Sequence, residues 1–362
     1  MKILVLEPYF AGSHRLFLAG LQQHLEYDFD LMTLPARKWK WRMRLAAPYF
    51  AEQLNKTKSA TKYDRILCSS FVDVAAFRSL VERKFQKIPV YTYFHENQFV
   101  YPVQKKDKRD FHFGLTNLTT YMASDKVAFN SRYNLETFIE SAEMLLKICP
   151  DMKFDTLTSQ LRDKAVILHP GIDFRGFPEP DTGRKDNDGP PVIVWNHRWE
   201  HDKNPECFFE TLYELDGHDI DFRLIVMGQS FRLKPPVFAE AKIKLAHRID
   251  HFGYVRSRKE YVRQLCRADI VVSTAVHEFY GIAVIEAMRA GCQPLLPNRL
   301  SYPELSPNKY LYKEGELFER LKSLLQSGNR LNRSQVINLT ENFSWPTLKK
   351  KYLDWFERDF TT

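Results

Sequence analysis

The chain has 362 residues, 44% apolar and 27% charged, with 27 Phe, 17 Tyr and a formal net charge of +8. That length exceeds what one hydrophobic core usually serves, so two domains are expected, and the composition is that of a globular rather than a disordered or fibrous protein. The positive balance favours polyanionic partners such as nucleic acid, anionic lipid or nucleotide phosphates, and says nothing about fold.

The opening run KILVLEPYF is broken by Glu7 and Pro8 after too short an apolar stretch for a signal peptide. The turn AGSHR comes next, then LFLAGLQQHL with apolar residues at helical spacing. Strand, glycine-bearing turn and helix is how a doubly wound α/β domain begins. FDLMTL, YDRILCSS and IPVYTYF read as further buried strands, with DVAAFRSLVERKF a helix between the last two. SDKVAFNS is another strand, followed by the helical RYNLETFIESAEMLLKIC. Such alternation implies a parallel sheet with right-handed crossovers.

After AVILHPGIDF, the stretch FPEPDTGRKDNDGPP (177–191) is too rich in Pro, Gly and Asp to pack and reads as a loop near a domain boundary. A second α/β series begins there, with PVIVWNHR, DFRLIVMGQ, IDHFGYV, ADIVVSTA and CQPLLPN as strands. WPTLKKKYLDWFERDF is a helix with aromatic anchors. The expected domains are therefore 1–168 and 169–341, with 342–362 a helix packing back on the first.

No apolar segment approaches the ~20 residues of a membrane span. Cys68, Cys149, Cys207, Cys266 and Cys292 lie far apart with no C-x-x-C, which argues for buried free thiols rather than a disulfide framework or a zinc site. A cytoplasmic location is expected.

HEFYGIAVIEAM (277–288) holds Glu278 and Glu286 around a glycine. Its surroundings read as a strand, a loop carrying Glu278, and a helix from about Tyr280 to Arg289. Free N–H groups at a helix start attract anions, and Gly281 removes the Cβ that would obstruct a phosphate. Carboxylates only accept hydrogen bonds, so such a pair suits sugar hydroxyls on either side of a diphosphate. A capping acid plus a solvated helix glutamate fits the spacing equally well. VIVWNHRWEHDKNP places Arg198 and Lys203 in the turn before a helix begun by Asn204 and Pro205, where two cations can neutralise a diphosphate without metal. The alternative is a solvated basic loop.

RKWKWRMR (37–44) interleaves Arg37, Lys38, Lys40, Arg42 and Arg44 with Trp39 and Trp41. Cations for phosphates and indoles for unpaired bases suit a single-stranded RNA loop, although a membrane-surface helix has the same composition. QKKDKRD adds Lys105, Lys106, Lys108 and Arg109, a run that alone reads as a solvated face. His95 and Glu96 end a strand, and Asn97 and Gln98 could orient a hydroxyl. Gly12 and Ser13 lie in the first strand–helix turn, whose amides can meet a phosphate. His14 is a secondary acceptor-side candidate.

The ordered segments HPGID, NHRWEHDKNP, MGQ, HFGYV and EFYGIAVIEAMRAGCQPLLPN resemble the nucleotide-sugar half of retaining GT-B glycosyltransferases with an E-x7-E motif. The resemblance implies that Glu278 contacts the donor sugar, Glu286 the ribose, and Arg198 and Lys203 the diphosphate. It implies Tyr254 near the base, Phe279, Tyr280, Gly281 and Ile282 in the donor loop, and His95 beside the transferred sugar. EPYFAGSHR, LPARKWKWRMR and YFHENQFVYPV resemble the queuosine-tRNA mannosyltransferase family, so together the two resemblances cover most of the chain. That family often has a histidine where this chain has Lys40, which keeps the charge but removes support for proton chemistry there.

Together the two resemblances imply an α/β GT-B fold, two Rossmann-like domains facing each other across a cleft. The expected donor is GDP-mannose, the acceptor the cyclopentenediol of queuosine in tRNA, with no metal or other cofactor and no membrane. No carboxylate is placed as a covalent nucleophile, so front-face transfer is expected. Arg198→Ala and Lys203→Ala are expected to stop transfer with the fold intact. The rival classes are a lipid or polysaccharide glycosyltransferase and a non-catalytic RNA-binding protein.

Overall fold

The structure is a computed structural model that describes residues 1–57, 62–102, 110–178, 189–230, 235–327 and 331–358. Met1–Gly171 and the segment from Trp345 form one compact unit, and Ile172–Ser344 form another.

In the first unit β1 (Lys2–Phe10) leads into α1 (Gly12–His24), and β2 (Asp28–Pro35) into α2 (Trp39–Lys56). Next come β3 (Arg65–Ser69), α3 (Val74–Leu80), α4 (Arg83–Gln86), β4 (Val90–Phe94) and α5 (Phe111–Ala123). The series continues with β5 (Lys126–Phe129), α6 (Arg132–Lys147), α7 (Asp155–Gln160) and β6 (Ala165–Ile167). The six strands are parallel in the order β2-β1-β3-β4-β5-β6. Strand β1 shows why its run is continuously apolar. Ile3 and Val5 point into one core with Phe17, Leu18 and Leu21 of α1, while Leu4 and Leu6 point into another with Ala46, Ala47 and Phe50 of α2. Both faces are covered, as a parallel sheet requires.

The segment DVAAFRSLVERKF forms two short helices where the pattern predicts one. Val81 is buried and extended (φ −79°, ψ 152°), so its side chain fills the core at the cost of a helical turn.

The second unit starts with β7 (Val192–Trp195), a 3₁₀ turn (His201–Lys203) and α8 (Pro205–Gly217), then β8 (Arg223–Met227), α9 (Val237–Lys244) and β9 (Ile249–Gly253). It goes on through α10 (Arg258–Arg267), β10 (Ile270–Val272), α11 (Ile282–Arg289), β11 (Gln293–Pro297) and α12 (Tyr302–Leu305). It ends with β12 (Leu311–Tyr312), α13 (Leu317–Ser327) and α14 (Arg333–Thr340). This sheet is also parallel, in the order β12-β11-β10-β7-β8-β9. Strand β12, two residues long, carries no periodicity to read.

The C-terminal helix α15 (Trp345–Glu357) adds Trp345, Leu348, Tyr352, Trp355 and Phe356 to the α1 side of the first sheet. The indole of Trp345 lies flat on backbone, for a Cβ at Gly20 or Gly171 would come within 2.2 or 2.3 Å of it. In each sheet the strand order reverses once, between β1 and β3 and between β7 and β10. Ligand sites of doubly wound sheets form beyond the strand ends at such reversals.

Candidate active site

The loops that leave β7 and β10 are neighbours at the reversal in the second unit. Lys203 ends the 3₁₀ turn after β7 and is only 5% exposed. Its Nζ lies 2.7 Å from the His277 carbonyl oxygen, 3.1 Å from Asp202 Oδ2 and 3.2 Å from Glu278 Oε2. The backbone locks the same two loops together: Val276 and His277 donate to the Asp202 carbonyl at 2.9 and 3.2 Å, and Thr274 Oγ1 donates to that of Lys203 at 2.9 Å. Burial alone would raise the Glu278 pKa, but Lys203 outweighs it and holds the carboxyl below its ordinary range. His197 moves the other way, down to about 4, through burial and the Lys203 charge, so it is neutral near pH 7. Its Nε2 is buried without a hydrogen-bond partner among the described residues.

Arg198 and Lys203 are not the equivalent cations that the motif suggests. Arg198 is half-exposed and sits 3.0 Å from Glu200, whereas the Lys203 ammonium already faces three acceptors. Lys203 thereby fixes Glu278 in place. Helix α11 begins at Ile282 rather than Tyr280, because Gly281 takes a left-handed φ of 109°. A Cβ there would lie 2.9 Å from Leu305 Cδ1. The rings expected in the donor loop turn inward: Tyr280 packs edge-on to Phe343 at 6.1 Å, and Phe279 edge-on to His277 at 4.5 Å. The Tyr280 amide donates to Glu278 Oε1 at 3.4 Å.

Glu286 is buried on α11, eight residues along the chain from Glu278. It accepts from Tyr261 Oη at 2.9 Å and pairs with Arg258 Nη1 at 2.7 Å, while burial pushes its carboxyl pKa upward against both. Asn196 Nδ2 donates to Tyr261 Oη at 3.1 Å and to the Ala283 carbonyl at 2.8 Å, so the end of β7 also braces this carboxylate. Tyr254 is 60% exposed just after β9, the edge strand, and is not brought to this cluster.

In the first unit His95 follows β4 and is buried. Its ring stacks on that of His14 at 4.0 Å between centroids, with Phe17 and Tyr93 packed at 5.0 and 4.7 Å. His14 Nδ1 is 2.9 Å from Glu7 Oε2, and its Nε2 is 3.6 Å from Glu96 Oε2. Burial pulls the His14 pKa down, but Glu7 and then Glu96 outweigh it and raise it to about 10. Burial and the charge on His14 push His95 well below the ordinary value. The result is a charged His14 beside a neutral His95. Glu7, His14 and His95 also bring metal-ligand atoms within 4.8 Å of one another. With a carboxylate beside each nitrogen of His14, this grouping reads as an ion pair rather than a set of lone pairs awaiting a cation.

Gly12 and Ser13 form the first turn of α1 rather than precede it, with Gly12 at φ 50° and open space where its Cβ would be. Asn97 does not present its amide to a ligand. It is fully buried, donates to Asn134 Oδ1 at 2.9 Å and Thr137 Oγ1 at 3.2 Å, and accepts from the Val100 amide at 3.3 Å. Gln98 is buried too, its backbone N–H donating to Asn117 Oδ1 at 2.8 Å. Both tie the loop after β4 to α5 and α6.

The basic-aromatic stretch starts α2, with Lys38 as N-cap in a left-handed φ of 51°. Arg37, Lys38 and Lys40 are exposed, as is Trp41. Trp39 is not a free stacking surface: it packs on Phe113 at 5.1 Å with Lys40 Nζ 5.6 Å from its ring centroid. Arg42 is half-buried, and Arg44 pairs with Asp110 at 3.0 Å. Lys105 and Lys106 lie outside the described residues. No helix of the described residues is long and apolar enough to cross a membrane.

Glu7, Asp202, Tyr261 and Arg258 escaped the sequence reading. Glu7 left one signal, a lone acid in a buried strand that must find a partner. Tyr261 and Arg258 left none, since they reach Glu286 from a different helix.

Residues 2–172 match the family model described as tRNA-queuosine alpha-mannosyltransferase N-terminal, and residues 180–336 that of glycosyl transferases group 1. A relative, the tRNA-queuosine alpha-mannosyltransferase of Drosophila melanogaster, is 33% identical over 379 residues, covering 98% of this chain and 96% of its own. Among solved structures, HepE of Anabaena in complex with UDP is similar at a TM-score of 0.69 and 12% identity, over 98% of this chain and 99% of that one. WaaG, a glycosyltransferase involved in lipopolysaccharide biosynthesis, is similar at 0.65 and 15%, over 99% and 100%. At these identities the likeness is one of fold, and the fold is GT-B.

Proposed function

Because the chain belongs to the tRNA-queuosine alpha-mannosyltransferase family of glycosyltransferases, we propose that it moves mannose from GDP-mannose onto the cyclopentenediol of queuosine in tRNA, with retention at the sugar carbon. The observation that carries the donor half of this reading is the frame at the β7–β10 reversal, in which Lys203 holds Glu278 ionised.

In this reading Glu278 accepts hydrogen bonds from the sugar and fixes its orientation. Glu286, braced by Tyr261 and Arg258, accepts from the ribose hydroxyls. As the glycosidic bond breaks, charge builds on the departing diphosphate. Arg198 and the first amides of α11 stabilise it, with Lys203 adding its field from behind Glu278. That supply of positive charge makes a metal unnecessary. Glu278 is held by Lys203 and the Tyr280 amide, a poor arrangement for a nucleophile. The leaving phosphate oxygen therefore takes the acceptor proton on the same face as the new bond forms. A neutral His95, with the charged His14 behind it, can donate to or accept from a hydroxyl. In this reading the reaction is cytoplasmic.

The test is mass spectrometry of nucleosides from queuosine-containing tRNA incubated with the protein and, separately, GDP-mannose, GDP-fucose, UDP-glucose and UDP-galactose. A gain of one hexose on queuosine with GDP-mannose alone is expected. The same gain from a UDP-sugar would displace the donor, and transfer to lipid with none to tRNA would sink the acceptor.

A further inference from the structure

Two rows of apolar side chains are exposed in the first unit. On α2, Trp41, Leu45 and Tyr49 are 61%, 52% and 46% exposed, and recurring every fourth residue puts them on one helical face. On α5, Phe111 and Leu115, 57% and 42% exposed, repeat the pattern. Arg44 joins the rows. Its Nη2 is 3.0 Å from Asp110 at the start of α5, and its guanidinium lies 4.9 Å from the Phe113 ring centroid.

Charge complementarity names the occupant. From Arg37 to Ala51 the chain has five cations and no acid. An apolar protein partner would desolvate the exposed Arg37, Lys38 and Lys40 without pairing them, which is costly. A phosphate backbone pairs them, and aromatic rings on the same surface stack bases. Continuity with the site in the same unit points the same way. Beneath the rows, Trp39, Met43, Phe71 and Phe113 form a small cluster that also packs Tyr9. Tyr9 stacks on Phe71 at 5.4 Å and lies 6.2 Å from the ring of His14, which is stacked on His95. A face joined through packed rings to the His14–His95 pair suits an acceptor substrate better than a distant tether.

We propose that α2 and the N-terminal half of α5 together form the docking face for unpaired nucleotides of the tRNA, with Trp41 and Phe111 stacking on bases and Arg37, Lys38 and Lys40 meeting phosphates. This rests on tRNA being the acceptor. The α5 residues widen the face beyond the basic stretch, and aromatic and cationic positions act differently, which the experiment exploits.

The test measures tRNA affinity across a salt series for the unchanged chain, Trp41→Ala, Phe111→Ala, Phe111→Tyr and the double variant Lys38→Glu/Lys40→Glu. GDP affinity and thermal midpoint are followed alongside. The two alanine variants should each lose about 5- to 100-fold in tRNA affinity with the salt slope unchanged, and Phe111→Tyr should retain it. The charge variant should flatten the slope. GDP affinity should not move in any of them. Phe111→Ala binding tRNA within twofold of the unchanged chain would overturn the proposal. So would loss of binding to vesicles of phosphatidylcholine and phosphatidylserine, or of self-association, with tRNA affinity intact. Failure of the unchanged chain to glycosylate queuosine tRNA would instead remove the acceptor on which the proposal stands.

Discussion

Replacing Lys203 with Met tests the donor site most severely. The methionine fills a similar volume but removes the charge, leaving Asp202, Glu278 and the His277 carbonyl facing one another in a buried site. Breaking a buried ion pair by deleting one partner costs about 3–5 kcal/mol. At about 2–4 °C per kcal/mol for a unit of roughly 150–250 residues, the second unit should melt roughly 6–20 °C lower. Lys203→Ala should therefore lower the stability of the second unit as well as turnover, where the sequence expectation was a loss of turnover alone.

The pH dependence carries a sign. Glu278 has a lowered pKa in the folded chain, so its contribution is present above the ordinary carboxylate pKa and fades as pH falls through the folded value. Without Lys203 that contribution reverses, because burial then favours the neutral acid. The gap between variant and unchanged chain should be widest near neutrality and shrink in acid, as the Glu278 carboxyl takes a proton. Calorimetric scans between pH 7 and pH 4, with GDP binding as a second readout, measure it. Lys203→Met/Asp202→Asn should recover part of the loss. A variant melting within about 2 °C of the unchanged chain at pH 7, or a gap that widens in acid, would refute the reasoning.

Arg198→Ala should behave oppositely, with stability changed by less than about 0.5 kcal/mol and turnover down about 10²- to 10³-fold in a transfer assay. Near-normal turnover would leave the diphosphate without its exposed cation. Gly281→Ala forces a Cβ onto a left-handed backbone and to 2.9 Å from Leu305, so a loss of about 1–3 kcal/mol in a denaturant melt is expected, with weaker GDP binding. For His14, whose pKa is raised to about 10 despite burial because Glu7 and Glu96 prevail, the stabilisation is complete below about pH 6.5 and is lost as pH rises through 10. The deficit of His14→Gln in denaturant melts should be largest near pH 6 and shrink toward pH 10; a constant deficit would mean that packing, not charge, is what the imidazole supplies.

The alternation of apolar runs and helical periodicities was enough to read both doubly wound series, because each strand is buried on two faces and each helix on one. It could not show β12, which is too short to have a period, or the break at Val81, where a core contact overrides helical continuity. At the site, residue types and spacing pointed to Glu278, Glu286, Arg198 and Lys203. They could not distinguish a solvated arginine from a buried, triply paired lysine, since burial is set by loops arriving from β7 and β10 together. Asn97 misled for a related reason. An amide that organises a loop and one that orients a ligand look alike in sequence, and only its bonds to Asn134, Thr137 and Val100 separate them.

The indole of Trp345 seals the first unit, although the whole second unit lies between it and β6 in the chain. A ribosome therefore delivers the closing piece of the earlier-made lobe only after the whole second lobe. Until that tryptophan arrives, the flank of the sheet carrying Ile3, Val5 and the α1 side chains stays uncovered while the later lobe can already be complete. Released chains truncated before Trp345 should accordingly hold a finished second lobe and an open, sticky first one, a natural client for holding chaperones.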